Sequence, residues 1–257
     1  MDYSQLFSLA GKHAVVIGGG GGIGREVAHG LAAFGASVTV ADRDGAAAAA
    51  TAAAIGPTAT GIELDIVDPD GVRALAAQRA ADIAITTVGV NVRKPLAELT
   101  DADYDRVLDT NLRSVFRVIQ AFGPGMAERG SGSVLAFASI RAQTVEPGQG
   151  LYAATKAGLI QLLRTAAAEY GRNGVRFNAI APGVVATELT GPIRSDPAWS
   201  AAYADKSALG RWAEPSEMVG ATVFLASDAA SYVTGTVLTV DGGWTAVDGR
   251  FDPFAAR

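Results

Sequence analysis

The chain has 257 residues, with 21 basic and 26 acidic side chains, a formal net charge of -5 and a hydrophobic fraction of 49%. These values fit a single α/β domain over 1–257 with a well-buried core, and the absence of a basic cluster argues against a nucleic-acid partner. Cysteine is absent, so disulfides and thiolate metal sites are excluded. No run of about 18 apolar residues could span a membrane, so we expect a cytoplasmic protein with no membrane partner.

The first elements are a strand, a glycine turn and a helix. A short apolar run near 13–18 leads into Gly18-Gly-Gly-Gly-Gly-Ile-Gly24, and a helical pattern follows through 22–35. Glycine lets main-chain N–H groups approach a pyrophosphate, and the N-terminus of the next helix favours its negative charge. A flexible linker is disfavoured because the glycines lie between a buried strand and an amphipathic helix. This order predicts a dinucleotide-binding unit.

A second strand near 37–42 ends in Asp42, where a ribose-binding acid is expected. Its carboxylate can accept hydrogen bonds from ribose hydroxyls and repels a 2′-phosphate, which favours NAD over NADP. Arg43 follows directly and could bind such a phosphate. Alternatively, Asp42 caps the Ala-rich helix that follows it.

Strand and helix patterns alternate through the rest of the chain. Further strand-like runs lie near 59–64, 82–87, 133–138, 175–180 and 236–240, and further helical patterns near 103–128, 151–171 and 215–226. The alternation predicts a single Rossmann-type, doubly wound parallel sheet of about seven strands with helices on both faces. The segment 188–213 has no clear pattern, and we expect it to be a substrate lid.

Tyr152 and Lys156 are one turn apart on a predicted helix, so their side chains share a face. A free phenol has a pKa of about 10 and is a poor base at neutral pH. A cation beside it favours the phenolate, so the hydroxyl can both give and take a proton. This pair predicts acid–base chemistry beside the nucleotide site.

Other site chemistries fit the sequence less well. A hydrolase triad needs a histidine, but His13 and His29 both fall in the first nucleotide-binding unit, and no Gly-x-Ser-x-Gly elbow is present. Asp65, Asp68 and Asp70 are better explained by a turn and a helix cap than by a cation site. We therefore expect no metal.

In chain order, these motifs resemble those of the short-chain dehydrogenase/reductase family from Leu9 to about Trp244. The matching features are Gly18-x-x-x-Gly22-x-Gly24, Asp65-Ile66, Asn111, Ser139 before Tyr152 and Lys156, Asn178-Ala-Ile-Ala-Pro-Gly-Val-Val-Ala-Thr187, and Val240-Asp-Gly-Gly-Trp244. The resemblance implies cofactor contacts from Gly18, Gly22, Ile23, Gly24, Asp42, Arg43, Asp65, Ile66, Gly89, Tyr152, Lys156, Pro182, Gly183, Val185 and Thr187.

The resemblance also implies a role for each of four catalytic residues. Tyr152 is the proton donor in ketone reduction and the base in alcohol oxidation. Lys156 lowers its pKa and binds the nicotinamide ribose, and Ser139 hydrogen-bonds the substrate oxygen. Asn111 holds a water that links Lys156 to solvent. Local structural roles are the alternative for Ser139, as a strand-end hydroxyl, and for Asn111, as a locally bonded helix residue.

Two positions depart from the family pattern. Ile17 stands where the family has threonine, and Thr86-Thr87-Val88-Gly89 replaces Asn-Asn-Ala-Gly. Threonine can replace only part of the hydrogen bonding of asparagine. We expect cofactor affinity, rather than catalysis, to be affected.

The substrate is the least determined part of the prediction. The chain resembles gluconate 5-dehydrogenase and related sugar and polyol dehydrogenases, so a small alcohol or ketone is expected. Alternatives are a ketoreductase acting on an acyl carrier protein and a non-catalytic nucleotide-binding regulator. The segments expected to frame the pocket contain Arg93, Arg141, Glu146, Gln149, Thr190 and Trp199. Arg141 and Glu146 would give it a polar rim that suits a hydroxyl-rich substrate.

The two long helical patterns, 103–128 and 151–171, predict a homotetramer. The second carries an apolar set, Leu159, Leu162, Leu163, Ala166 and Ala167, that is larger than one sheet face should cover. In the resembling family these helices pair with their symmetry mates.

Overall fold

The computed structural model describes residues 3–78 and 80–248. Within these residues, one parallel sheet has the strand order β3-β2-β1-β4-β5-β6-β7. The strands are β1 (His13–Ile17), β2 (Ser37–Asp42), β3 (Ala59–Glu63), β4 (Ile83–Thr86), β5 (Gly132–Phe137), β6 (Val175–Pro182) and β7 (Val237–Val240). The order reverses between β1 and β4, which opens a crevice at the carboxyl ends of these two strands. The predicted doubly wound sheet is confirmed.

Helices cover both faces of the sheet. The α-helices of the described residues are α1 (Gly22–Ala33), α2 (Gly45–Ile55), α3 (Pro69–Gln78), α4 (Asp101–Leu108), α5 (Ser114–Arg129), α6 (Gly150–Tyr170), α7 (Gly191–Arg194), α8 (Pro197–Lys206) and α9 (Val219–Ala226). Apolar side chains of α3, α5 and α6 form the core on one face, and those of α1, α2 and α9 form the core on the other.

Strand β1 shows why the sequence folds in this way. Successive side chains of a strand point to opposite faces. Val15 and Ile17 accordingly enter the core beneath α5 and α6, while Ala14 and Val16 enter the core beneath α1 and α9. A strand buried on both faces needs a continuous apolar run, as β1 has.

The structure corrects two of the predicted elements. The helix expected over 103–128 is two helices, α4 and α5, joined by a π-helical turn at Asp109–Arg113. The segment 188–213, expected to be irregular, contains α7 and α8. Helix α8 has a clear start signal, because Asp196 accepts hydrogen bonds from the main-chain N–H groups of Ala198 and Trp199, and proline occupies its first position.

Candidate active site

The glycine loop after β1 needs glycine for steric reasons at two positions. Gly18 has a φ of 86°, and a Cβ atom there would lie 2.7 Å from Thr87 Oγ1. A Cβ atom on Gly24 would lie 1.9 Å from the carbonyl oxygen of Gly18, so no side chain fits between loop and helix. The loop therefore brings main-chain N–H groups and the N-terminus of α1 to the crevice, as pyrophosphate binding requires.

Asp42 lies at the carboxyl end of β2 beside this loop. Its Oδ2 accepts a hydrogen bond of 2.9 Å from Gly20 N, and its Oδ1 accepts one of 3.0 Å from Asp44 N. The cap of α2 is Asp44, whose Oδ1 accepts a hydrogen bond from Ala47 N. The alternative that Asp42 caps this helix is therefore wrong.

The loops after β1 to β4 and β6 surround a groove of about 470 Å³. Ten of the residues predicted to contact the cofactor line it: Gly18, Gly22, Ile23, Gly24, Asp42, Arg43, Asp65, Ile66, Gly89 and Thr187. A smaller cavity of about 110 Å³ shares Ile23, Gly89 and Thr187 with the groove and is also lined by Tyr152, Lys156, Pro182, Gly183 and Val185. The glycine cradle, the acid on β2 and the spread of the lining residues from the loop after β3 to the loop after β6 fit a dinucleotide.

The two departures from the family pattern meet at the end of β1. Thr87 Oγ1 donates to the carbonyl oxygens of Gly18 at 3.1 Å and Ile17 at 3.3 Å, and Thr87 N donates to Ile17 O at 3.0 Å. Ile17 itself is buried in the core. Threonine thus fastens the end of β4 to the glycine loop through its hydroxyl.

Ser139, Tyr152 and Lys156 come together around the 110 Å³ cavity. Ser139 follows β5, and its side chain hydrogen-bonds Tyr152 of α6. Lys156, one turn further along α6, donates a hydrogen bond of 2.7 Å from Nζ to Phe137 O. Its Nζ lies 5.6 Å from the centroid of the Tyr152 ring. These three predicted catalytic residues therefore form one cluster at the mouth of the groove.

Burial opposes ionisation at both titratable groups of this cluster. Desolvation raises the pKa of Tyr152, while the hydrogen bond from Ser139 and the charges of Arg93 and Arg141 act to lower that pKa. Desolvation lowers the pKa of Lys156 to about 8. The charges of the two arginines thus favour the phenolate, and the predicted effect of Lys156 on the pKa of Tyr152 stays a prediction.

The fully buried Asn111 lies in the π-helical turn. Its Oδ1 accepts a hydrogen bond from Val90 N at 2.8 Å, and its Nδ2 donates to Val90 O at 2.8 Å and Thr155 Oγ1 at 3.2 Å. Both amide hydrogens are therefore used within the protein. The side chain clamps the segment after β4 to α6, and the predicted water-holding role stays a prediction.

The predicted substrate residues divide into two sets. Arg93, Arg141, Gln149 and Thr190 line a cavity of about 70 Å³ that also contains Ser139 and Tyr152. Glu146 and Trp199 do not line it. Glu146 lies behind Arg141 and forms an ion pair of 2.6 Å with it, while the Trp199 ring lies 5.6 Å from the Arg93 guanidinium carbon. The Arg141 and Glu146 charges are paired with each other, and the predicted polar rim toward a hydroxyl-rich substrate stays a prediction.

Tyr203 and Asn91 also line this pocket, and neither was predicted from the sequence. Tyr203 lies on α8 and donates a hydrogen bond of 2.5 Å to Glu146 Oε2, and its ring stacks on Trp212 at 5.7 Å. The signal for Tyr203 was a cluster of aromatic residues in the segment taken as irregular. Asn91 gave no signal, because its importance depends on a contact with Gln149 that is distant in sequence.

Three further observations concern a second cavity, metal binding and membrane-spanning helices. A cavity of about 550 Å³ lies at the opposite, amino-terminal edge of the sheet, and none of the predicted site residues lines it. Within residues 3–78 and 80–248, no group of three or more histidine or acidic side chains is placed to bind a metal. In the same ranges, no helix combines the length and apolar character needed to cross a bilayer.

Proteins of known families share this architecture. A family model described as enoyl-(acyl carrier protein) reductase matches residues 18–245. Galactitol 2-dehydrogenase (L-tagatose-forming) of Cereibacter sphaeroides is 39% identical, over 95% of this chain and 99% of its own length. Gluconate 5-dehydrogenase of Gluconobacter oxydans (strain 621H) is 37% identical, over 95% of this chain and 99% of its own. The crystal structure of a gluconate 5-dehydrogenase from Burkholderia cenocepacia J2315, in complex with NADP and tartrate, is 34% identical with a TM-score of 0.91, covering 95% of this chain and 98% of that one.

Proposed function

Since the chain belongs to the short-chain dehydrogenase/reductase family and is an NAD(P)-dependent oxidoreductase of alcohols and ketones, we propose that it oxidises a secondary hydroxyl of a sugar acid or polyol. The convergence of Ser139, Tyr152 and Lys156 on one cavity beside the groove carries this proposal. A ketoreductase acting on an acyl carrier protein would use the same cluster, and the matching family model carries such a name, but the similar curated relatives are named for a sugar acid and a polyol. A non-catalytic regulator would need no such cluster.

Each residue of the cluster has a distinct task in this proposal. Tyr152 takes the proton of the substrate hydroxyl in oxidation and returns it in reduction. Ser139 hydrogen-bonds the same substrate oxygen and stabilises its developing charge. Lys156 binds the ribose hydroxyls next to the nicotinamide, since its ammonium faces the cavity where that ring would lie. Bound NAD or NADP supplies the hydride acceptor or donor.

For the cofactor we propose NAD rather than NADP. Asp42 lines the groove at the end of β2, where its carboxylate can accept hydrogen bonds from the adenosine ribose and repels a 2′-phosphate. The adjacent Arg43 also lines the groove and is the residue that would offset this repulsion. The Burkholderia cenocepacia relative was crystallised with NADP, so relatives of this fold accept the phosphate.

Among the substrate classes, we favour sugar acids over neutral polyols. Arg93 lines the 70 Å³ cavity, and its buried Nε has no hydrogen-bond partner in the described part of the chain. Arg141 is neutralised by Glu146, which leaves Arg93 as the cation available to a carboxylate. Arginine donors match the geometry of a carboxylate, and a buried charge gains most from such pairing.

The test measures cofactor reduction at 340 nm with each member of a substrate panel. It contains D-gluconate, galactitol, threitol and cyclohexanol, each with NAD and with NADP. We expect the highest kcat/KM with D-gluconate and NAD, and little activity in Tyr152→Phe. A panel with no turnover in either direction would overturn the enzymatic proposal. Turnover of galactitol above D-gluconate would overturn the choice of sugar acids alone.

We also propose a homotetramer, although α6 offers less exposed apolar surface than its sequence suggested. Of the apolar set on α6, only Leu162 is partly exposed, because Leu159, Leu163, Ala166 and Ala167 enter the chain's own core. The support comes instead from Tyr104 of α4 and Phe116 of α5, whose rings are exposed. Strand β7 also lies at an edge of the sheet, and such an edge is usually covered.

A further inference from the structure

A line of hydrogen bonds crosses the wall of the 70 Å³ cavity. Tyr203 OH donates to Glu146 Oε2 at 2.5 Å, and Gln149 Nε2 donates to the same oxygen. At the other end of its amide, Gln149 Oε1 accepts a hydrogen bond of 2.9 Å from Asn91 Nδ2. The line therefore runs from helix α8, through the loop after β5 and the start of α6, to the segment after β4.

The chemistry of Glu146 fixes the direction of every bond in this line. A carboxylate can only accept hydrogen bonds, so Gln149 must present its NH₂ group to Glu146. The carbonyl oxygen of Gln149 then faces Asn91, which must present its own NH₂ group in turn. Asn91 Oδ1 is thereby left as the free end of the line. It is buried and has no hydrogen-bond partner within residues 3–78 and 80–248.

The acceptor at the start of the line is held firmly. Arg141 is 9% exposed, and its ion pair of 2.6 Å with Glu146 keeps a cation beside the carboxylate. The Arg141 guanidinium carbon also lies 5.8 Å from the Tyr203 ring and 5.7 Å from the Trp244 ring. Since aromatic rings and an ion pair hold the guanidinium, Glu146 stays an acceptor and the two amides cannot turn over without losing bonds.

We propose that Asn91 determines specificity by accepting a hydrogen bond from a substrate hydroxyl close to the reacting carbon, and that Glu146 sets this polarity through Gln149. The inference rests on the proposed function, because the reacting carbon is placed at Tyr152. Asn91, Ser139 and Tyr152 line the same cavity of about 70 Å³, which has room for only a short segment of substrate. A buried carbonyl oxygen without a partner is unfavourable, so a substrate donor at this point is favoured and an acceptor is rejected.

Two small alcohols test the polarity directly. Both trans-1,2-cyclohexanediol and trans-2-fluorocyclohexanol have a secondary hydroxyl to oxidise, but the neighbouring group is a donor in the first and only an acceptor in the second. We expect the parent protein to prefer the diol in kcat/KM by roughly tenfold or more. A substitution that only disturbs the structure lowers kcat/KM for both alcohols alike. The ratio of the two kcat/KM values therefore stays constant in that case and changes only when the preference between donor and acceptor changes.

Three variants locate the origin of the preference. Asn91→Leu removes the acceptor, and Glu146→Gln allows both amides to turn over, so each should bring the ratio close to one. Gln149→Leu breaks the line at a second point and should do the same if Glu146→Gln fails to fold. Glu98→Gln, the same chemical change at an exposed site, is the matched control and should keep the parent ratio.

The outcomes separate this inference from the proposed function. A parent ratio near one, or a ratio unchanged in Asn91→Leu and Gln149→Leu, overturns the role of Asn91. If neither cyclohexyl alcohol is oxidised, the ratio of their dissociation constants, measured by tryptophan fluorescence, replaces the ratio of kcat/KM values. Equal dissociation constants then overturn the inference. Failure of the proposed function is a different result, namely no cofactor reduction with any alcohol of the substrate panel.

Discussion

The ammonium of Lys156 is buried against the main chain of Phe137, to whose carbonyl oxygen it donates a hydrogen bond of 2.7 Å. Only 3% of Lys156 is exposed, and this burial lowers its pKa from 10.5 to about 8. The carbonyl oxygen satisfies one of the three ammonium hydrogens. The other two remain for the cavity that Lys156 shares with Tyr152, where ribose hydroxyls are expected. Burying this ammonium therefore lowers the stability of the protein at the place where the ammonium would bind the cofactor.

We predict that Lys156→Met stabilises the protein at pH 7. The lowered pKa of Lys156 means that the folded protein disfavours the ammonium form. Below pH 8 the lysine is protonated in both the folded and the unfolded protein, so burial of the ammonium destabilises the fold to its full extent. Between about pH 8 and 10.5 the folded state loses its proton first, so the stability of the parent rises with pH. The gain should therefore be at most about 3 kcal/mol at pH 7 and smaller at pH 9.5.

Melting temperatures of the parent and Lys156→Met at pH 7 and 9.5 check this expectation. Lys206→Met changes an exposed lysine and should show no such dependence on pH. A variant that is less stable than the parent by the same amount at both pH values would contradict the argument. That result would mean that the bond to Phe137 outweighs the cost of burial.

Tyr152→Phe should lower turnover by about 10²-fold or more, because it removes the proposed proton-transfer group and keeps the ring. The cofactor dissociation constant should stay close to that of the parent. Tyr170→Phe, on the same helix but packed against Phe177 at 5.6 Å, is the matched control and should leave both quantities unchanged. Near-normal turnover in Tyr152→Phe would exclude the proposed mechanism.

Arg93 should affect the pH dependence of oxidation as well as substrate binding. Its positive charge lowers the pKa of Tyr152, so Arg93→Met should raise that pKa and move the rising limb of the kcat/KM profile to higher pH. Cyclohexanol is the suitable substrate, since it has no charge to lose a partner. Arg172→Met, at an exposed arginine, should keep the parent profile. An unshifted profile in Arg93→Met would show that its charge does not act on the phenol.

The parts of the site that sequence could predict are those fixed by local spacing. The glycines from Gly18 to Gly24 directly follow a strand, and Tyr152 and Lys156 are one helical turn apart. The positions of these residues in the site therefore follow from the strand and the helix that contain or adjoin them. Asn91 and Tyr203 could not be found in this way. Their partners Gln149 and Glu146 are brought to them only by tertiary packing, in which α6 lies against the sheet and Tyr203 of α8 joins a separate apolar cluster with Ile140 and Trp244.

Electrostatic pairing was equally hidden from the sequence. The sequence placed Arg141 and Glu146 at a polar pocket rim, but it could not show that the loop between them turns back and joins the two charges. Similarly, the apolar positions of α6 could not reveal how deeply the helix is buried. The sheet face beneath it covers Leu159 and Leu163, which a count of apolar residues had placed in excess.

Asp42→Ala should lower the ratio of kcat/KM with NAD to kcat/KM with NADP by roughly tenfold or more, because it removes two acceptor bonds to ribose and the repulsion of a 2′-phosphate. Asp44→Ala is the matched control. It removes the same charge from the cap of α2, so it should cost about 1 kcal/mol of stability and leave the ratio unchanged. A parent enzyme that prefers NADP would refute the assignment and point to Arg43.

Exposed aromatic rings on α4 and α5 lead to the last prediction, a tetramer in solution. Phe116 is 43% exposed and Tyr104 is 48% exposed, and pairing with a second copy would cover both rings. Light scattering of the parent should give a mass about four times the 26.2 kDa of the chain. Phe116→Glu should yield smaller species, because it would bury an unpaired carboxylate. Phe34→Glu, at a phenylalanine that is 45% exposed on α1's end, should remain tetrameric. A parent of monomer mass at micromolar concentration would overturn the proposal, because the Tyr104 and Phe116 rings would then stay exposed to solvent in the native protein.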